Sequence, residues 1–350
     1  MTSKEEDKVR IGIIGNGGVG KALIALIHEK KEKLAKEGLH PLLCAQLDST
    51  GGIYDVEGID LKQLMHHNDK KEPLKDFPKG GSAGLSIDDV LEENCLEVLI
   101  ELTPTNKETG EPGIRYITKA LESGVHVITA NKGPVMIAYH SLKTLANQKK
   151  RQFWIGCTTG GALPAINGGL IDLAGAEITS ITGVLNGTTN YILEEMKSRG
   201  CTYLEALQKA QKDGIAETDP SLDVEGWDTA AKLLILTNVL MDQSKQLSDI
   251  KVKGITEIDQ AEIGKATSEG GKLKLVGRTR IEKEKILMTV QPETLYPEDF
   301  LFQVDGKNKG VHYTTDTLGD IAILGGASGL SAAAAAVLRD LVNLHRSGCG

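Results

Sequence analysis

Val9-Arg-Ile-Gly-Ile-Ile-Gly-Asn-Gly-Gly-Val-Gly20 decides the fold of the first half of this chain. The run up to Ile14 is short and β-branched, the composition of a parallel strand buried on both faces. It passes without a linker into Gly15-Asn-Gly17-Gly18-Val19-Gly20, and helical periodicity follows over 21–34. A glycine pattern of this kind is a weak signal alone. Between a strand and a helix each glycine acquires a distinct role, in a tight turn, in close approach of a pyrophosphate, or in close helix–strand packing. The helix N-terminus adds free N–H groups for the phosphates. Gly15, Gly17, Gly18, Val19 and Gly20 are therefore expected to hold a dinucleotide in a Rossmann-type domain.

The strands that follow support this. A second strand over 42–47 ends at Asp48, where an acid accepts hydrogen bonds from ribose hydroxyls and repels a 2′-phosphate, favouring NAD over NADP. Ser49 and Thr50 beside it are able to hydrogen-bond a phosphate instead. A third strand over 96–102 ends at Thr103, and another over 125–130 runs into Asn131 and Lys132. Ligands in open α/β sheets lie beyond the carboxyl ends of the strands, which points Thr103 and Lys132 at the cofactor. A helix is expected over 113–123. Residues 51–95 are polar, Lys/Glu-rich and glycine-punctuated, and are expected to form a mobile excursion with one helix. His66, His67 and Asp69 fall in it and read as a solvated loop rather than a metal cluster.

The pattern changes after a short strand at 153–156. A strand over 178–185, helices over 189–199, 203–213 and 224–241, and strands over 272–281 and 285–292 do not alternate as βαβ units, which implies an α+β domain. The expected domains are 1–156 plus 326–350 for the dinucleotide, and 157–325 for substrate and dimerisation. Within the second, Asp228 and Lys232 are four apart and share one helix face. The flanking Trp227, Ala230, Ala231 and Leu233–Leu236 are apolar almost all round, so the helix should be buried. A buried ion pair is a poor stabiliser and a better working part. Glu217 sits in the loop Gly214-Ile-Ala-Glu-Thr-Asp-Pro220, whereas Asp223 and Glu225 fit the first turn of a helix as dipole partners.

Composition bounds the remainder. Three hundred and fifty residues suggest two domains, and a net charge of −8 with no basic block speaks against nucleic acid. The charged start and the lack of a long apolar run imply a soluble, cytoplasmic protein without a membrane partner. Five cysteines (44, 95, 157, 201 and 349) show no metal spacing. Cys349, on the Ser-Gly-Cys-Gly tail, reads as an exposed thiol, with pairing to a second copy as the alternative.

In order along the chain, the Gly15–Gly20 loop, Glu101-Leu-Thr103, Thr129-Ala-Asn-Lys132, Asn186-Gly-Thr-Thr-Asn-Tyr191, Glu217, Asp228, Lys232, Thr314-Thr-Asp-Thr-Leu-Gly-Asp320 and Gly325-Gly-Ala-Ser-Gly329 resemble homoserine dehydrogenases. The resemblance covers nearly the whole chain. It implies NAD(P)-dependent interconversion of L-homoserine and L-aspartate 4-semialdehyde, a step toward threonine and methionine, in a homodimer. Lys232 would be the acid/base group and Lys132 an aid to proton transfer. Glu217, Asp228, Asn186, Gly187, Thr188 and Asp223 would meet the substrate, and Gly214 and Gly329 the cofactor.

The chain also departs from the family. The acid that helps hold a monovalent cation there is replaced by Gly156, leaving backbone carbonyls of Thr159 and Gly161 as the remaining ligands and weakening the case for a cation. The usual tyrosine before the Ala-Glu pair is Ile215. The C-terminal regulatory module of many relatives is not expected. Two other readings stay open: a dehydrogenase of the same architecture acting on another amino-acid-derived alcohol, and a nucleotide-sensing protein without turnover.

Overall fold

The computed structural model describes residues 8–348; Cys349 and the charged start lie outside them. The chain divides into two compact units, one of residues 1–158 with 329–350 and one of residues 159–328. The first is built on β1 (Lys8–Ile14), whose last four residues are buried. The chain then forms α1 (Gly18–Glu29), α2 (Lys31–Lys36), β2 (His40–Asp48), β3 (Gly51–Tyr54), α3 (Leu61–Asp69), β4 (Gly81–Ala83), α4 (Ile87–Glu92), β5 (Val98–Glu101), α5 (Gly113–Glu122), β6 (His126–Thr129), α6 (Lys132–Gln148) and β7 (Phe153–Trp154). The sheet order is β4-β3-β2-β1-β5-β6-β7, parallel from β2 to β7. Strand order reverses at β1, and the glycine loop leaves its carboxyl end, where α/β sheets bind ligands.

Two expectations fail here. The helix over 21–34 begins three residues earlier and breaks at Lys30. Residues 51–95 are an ordered layer: β3 and β4 extend the sheet antiparallel, α3 packs against α1, and α4 packs against α5. The polar average over this stretch hides widely spaced anchors, for Ile53, Leu64, Leu74 and Val90 are fully buried. His66 and His67 consequently lie on α3, not in a solvated loop. His67 is buried edge-on to Phe77, with Nε2 2.8 Å from the Pro73 carbonyl and Nδ1 2.9 Å from Glu72. Among the described residues no cluster of His, Cys, Asp or Glu could hold a metal.

The second unit comprises α7 (Ala165–Asn167), β8 (Ile178–Val184), α8 (Gly187–Arg199), α9 (Tyr203–Lys212), α10 (Ser221–Val224), α11 (Trp227–Leu240), β9 (Ile250–Val252), α12 (Gln260–Ser268), β10 (Lys272–Glu282), β11 (Lys285–Leu295), β12 (Lys309–Thr315) and β13 (Asp320–Gly325). Its sheet runs β13-β12-β8-β10-β11-β9, antiparallel except between β11 and β9. Helices α8, α11 and α12 pack against its central strands. The β12–β13 hairpin was legible only as the motif around Asp320, because the exposed pattern of β13 lacks strand alternation. The helix expected over 224–241 is two, separated by Gly226 at φ +92°. Trp227, at the start of α11, is 39% exposed rather than buried, since the apolar surround begins at Thr229. The chain closes with α13 (Leu330–Arg346), which packs along α1 in the first unit.

The glycines of the first loop are not equivalent. A Cβ on Gly20 would lie 2.3 Å from the Gly15 carbonyl oxygen, a backbone atom that cannot turn aside. A Cβ on Gly17 would meet nothing within 4 Å. Gly20→Ala should therefore lower the urea midpoint, at a cost of roughly 1–3 kcal/mol, while Gly17→Ala leaves it nearly unchanged. Equal midpoints for the two variants would contradict this packing.

Candidate active site

Four carboxyl-end loops of the first sheet enclose a cleft of about 890 Å³. Gly15–Val19, Asp48–Gly51, Thr103 and Leu330 line it, with Arg115 and Tyr116 from α5. Gly329 immediately precedes Leu330 at φ +98° and caps α13. Lys132 is partly buried as the first residue of α6, next to its capping residue Asn131. The Asp48 carboxylate accepts hydrogen bonds from Thr50 N and Oγ1, at 2.8 and 2.7 Å, which fixes it at the tip of β2.

Beneath this rim lies Glu101, which the sequence pattern includes without assigning it a role. It is fully buried at the end of β5. Its carboxylate accepts from Thr103 N at 2.8 Å, Thr129 Oγ1 at 2.7 Å and Asn131 Nδ2 at 3.4 Å, and also from Thr103 Oγ1. Hydroxyl and amide donors offset the desolvation of the buried acid. The same bonds tie the Thr103 loop to the Asn131 turn. An acid closing an otherwise apolar strand was the available signal.

The second cluster sits where β8 ends. Asn186 caps α8 through Thr189 N at 2.9 Å, and its own amide donates to Asp223 Oδ1 at 2.6 Å and Asp228 Oδ2 at 2.9 Å. Lys232 Nζ donates to Asp228 Oδ2 at 2.5 Å and to the Leu185 carbonyl at 2.9 Å. Asp228 and Lys232 have side chains only 13% and 14% exposed. The i,i+4 pair is thus a largely desolvated one, and not a surface bridge. Asp223, which first-turn reasoning treated as a dipole partner, faces the same amide from α10. Burial and the neighbouring Asp228 charge push its carboxyl above the usual range, against hydrogen bonds from Asn186 and Thr188 and the Lys232 charge. Thr188 Oγ1 also donates to the Ile215 carbonyl at 3.2 Å.

The remaining residues lie apart from these contacts. Glu217 is exposed on its loop, which Gln211 holds by its Glu217 and Thr218 carbonyls. Gly214 follows α9 at φ +68° and is exposed. Gly187 packs so closely on the Lys307 carbonyl that a Cβ would lie 2.6 Å from it.

Chemically, the cleft offers glycine backbone to phosphates and an acid to a ribose, while the cluster offers two carboxylates and one ammonium. The pattern described as homoserine dehydrogenase matches residues 164–342, and that described as homoserine dehydrogenase, NAD binding domain, matches 15–155. The homoserine dehydrogenase of Methanocaldococcus jannaschii is 38% identical, over 96% of this chain and 98% of its own. The NAD(+)-dependent homoserine dehydrogenase of Pseudomonas canavaninivorans is 32% identical, over 97% and 96%. A hyperthermophilic archaeal homoserine dehydrogenase mutant solved in complex with NADPH aligns with a TM-score of 0.82 at 27% identity, over 97% of this chain and 98% of that one. With family patterns spanning both units, the chain belongs to the homoserine dehydrogenase family.

Proposed function

We propose that the chain interconverts L-homoserine and L-aspartate 4-semialdehyde with NAD or NADP, and that the Asp228–Lys232 pair under the Leu185 carbonyl does the proton chemistry. That pair is the observation that carries the reading. The residues of the cleft fit a dinucleotide: a side chain on Gly15 would strike the Leu102 carbonyl at 2.6 Å, whereas Gly17 faces open space that backbone–phosphate contact needs. When bound, the dinucleotide supplies or takes the hydride at the carbon bearing the substrate oxygen. Gly15–Gly20 and Thr103 would hold it and Asp48 would select at the ribose; we assign Lys132, Gly214 and Gly329 to the cofactor as the family resemblance implies.

The protein's own groups handle charge and protons. In reduction the aldehyde oxygen becomes an alkoxide, which the Lys232 ammonium stabilises and protonates. In oxidation Lys232 must first release a proton, then take the hydroxyl proton as hydride leaves carbon. Asp228 and the Leu185 carbonyl hold the amine in place. The cluster carries two carboxylates and one ammonium, so it has one negative charge in excess; the substrate's own ammonium completes it at Asp223 and Asp228. Asn186, Gly187 and Thr188 offer hydrogen bonds to the substrate, Glu217 offers a further carboxylate, and Lys132 assists the proton.

No helix among the described residues is long and apolar enough to cross a membrane. Cys44, Cys95, Cys157 and Cys201 remain thiols, which suits the reducing cytoplasm we assign to the chain. A homodimer is the assembly we propose. The edge strand β13 presents Ile321 and Leu324 to solvent, 37% and 46% exposed, and apolar sheet edges are ordinarily covered.

Lys232→Ala should lower kcat with homoserine by roughly 100- to 10,000-fold while NAD binding, followed by fluorescence titration, stays close to native. Retained turnover would sink the assignment. Asp48→Ser should narrow the preference for NAD over NADP by ~10-fold or more, since like charges at a binding surface repel strongly; an unchanged ratio of the two rates would remove Asp48 from that role.

Asp223 gives a signed pH expectation. Folding raises its carboxyl pKa, so ionising it subtracts stability as pH climbs past the unfolded value, and the cost is fully present above the folded one. Asp223→Asn should therefore melt higher than native at neutral and alkaline pH, with the gap closing on acidification. It should also raise KM for homoserine by roughly tenfold. In the native enzyme KM should rise with acid at a higher pH than an ordinary carboxylate would give. A variant that melts lower at alkaline pH, with KM unmoved, would refute the charge-excess account.

A further inference from the structure

The second unit holds a lysine that the reaction does not use. Lys309, the first residue of β12, is 5% exposed. Its ammonium donates to the Gly160 carbonyl at 2.8 Å, the Ser328 hydroxyl at 3.2 Å and the Ala327 carbonyl at 3.5 Å. These acceptors come from two separate segments, the glycine turn after Thr159 and the glycine run that ends the unit. The segments press together: a Cβ on Gly326 would lie 2.6 Å from Leu163 N. Gly160 O also accepts from Leu163 N, closing the turn.

Backbone carbonyls converging on a positive charge are what a bound monovalent cation requires, and the family resemblance raises the expectation of one here. The residues do not fit it. The acid expected in the preceding segment is Gly156, whose N–H donates to Asp340 at 2.8 Å. The Lys309 nitrogen already occupies this turn, 2.8 Å from the Gly160 carbonyl and 3.9 Å from where a Cβ on Gly161 would lie. A second cation there would be desolvated beside a like charge. The Thr159 hydroxyl, buried and without a partner among the described residues, is a single oxygen and not a shell.

We propose that Lys309 is a tethered cation: its ammonium takes the place of a monovalent ion at the Gly160 turn, and it makes the protein's function independent of such ions. Lys309 acts as a positioning residue. Its strand continues from Lys307, whose carbonyl supports Gly187 at the head of α8, and it pairs Gly310 with Val184 just before Leu185 and Asn186. Loosening the Lys309 clasp therefore loosens the wall of the Lys232 cluster.

The test compares KCl, NaCl and NH4Cl with tetramethylammonium chloride at constant ionic strength, on the native chain and on Lys309→Ala. It follows both homoserine-dependent NAD reduction and the melting temperature. The kinetic readout rests on the reading as a homoserine dehydrogenase; melting does not, so failure of that reading and failure of this one are separable. Native protein should give flat responses across the four salts. Lys309→Ala in tetramethylammonium should lose roughly tenfold in turnover, the scale of a charged hydrogen bond, and melt lower, with both partly restored by ammonium or potassium. Native activity or melting that rises with potassium or sodium overturns the proposal. So does a folded variant that no small cation rescues. Should Lys309→Ala fail to fold, Lys309→Met and the native salt series decide the matter by the same criteria.

Discussion

The structure turns on how the two carboxylates at the end of β8 are held together. One amide, that of Asn186, bridges Asp223 and Asp228 while its carbonyl oxygen caps α8. Lys232 pairs directly with Asp228 and reaches Asp223 through its charge alone. Burial makes the surplus charge expensive, and the raised Asp223 carboxyl is its visible consequence. A fold selected for stability alone would replace one acid by an amide. Keeping both leaves an unfilled demand for a positive charge, and an amino-acid substrate brings that charge with it.

The arrangement around the cluster is stiff where it needs to be. The Leu185 carbonyl that accepts from Lys232 belongs to the residue after β8, and β8 is a central strand flanked by β12 and β10. Helix α11 packs against β8 and β10, so the Asp228–Lys232 face is set against the sheet rather than carried on a loop. Asp223 and Glu217 differ in this respect. The first is held on α10 against Asn186; the second is exposed on a loop tethered by its backbone. A site with one rigid side and one open side suits chemistry that must fix a proton donor and still admit a substrate.

Legibility in the sequence followed the range of the interactions involved. The glycine loop and its strand were readable because three local requirements coincide within twelve residues. Asp228 and Lys232 were readable because helical spacing and apolar flanks are also local. The layer between 51 and 95 was not, since Ile53, Leu64 and Leu74 find their neighbours across the sheet and lie among charged residues in sequence. His67 was misread for the same reason. Asp223 has an ordinary explanation in its first-turn position, so helical spacing alone leaves its part in the cluster open; the tertiary approach of Asn186 brings it there. Nothing in Gly-Lys-Asn-Lys-Gly distinguishes the exposed Lys307 from the buried Lys309 two residues on.

Buried lysines also show how the second unit divides its charges. Lys232 and Lys309 both donate to backbone carbonyls, yet their surroundings differ. Lys232 shares its site with two acids and keeps a partly open side chain, so its proton has somewhere to go. Lys309 is buried, and its nitrogen donates to the Gly160 and Ala327 carbonyls and the Ser328 hydroxyl, groups that hold an ammonium in place. A proton-transferring amine needs a basic neighbour or solvent. The same functional group thus serves as reagent at one end of the β8–β12 pair and as a fixed ion beside it, and the difference lies in what the nitrogen is given to touch.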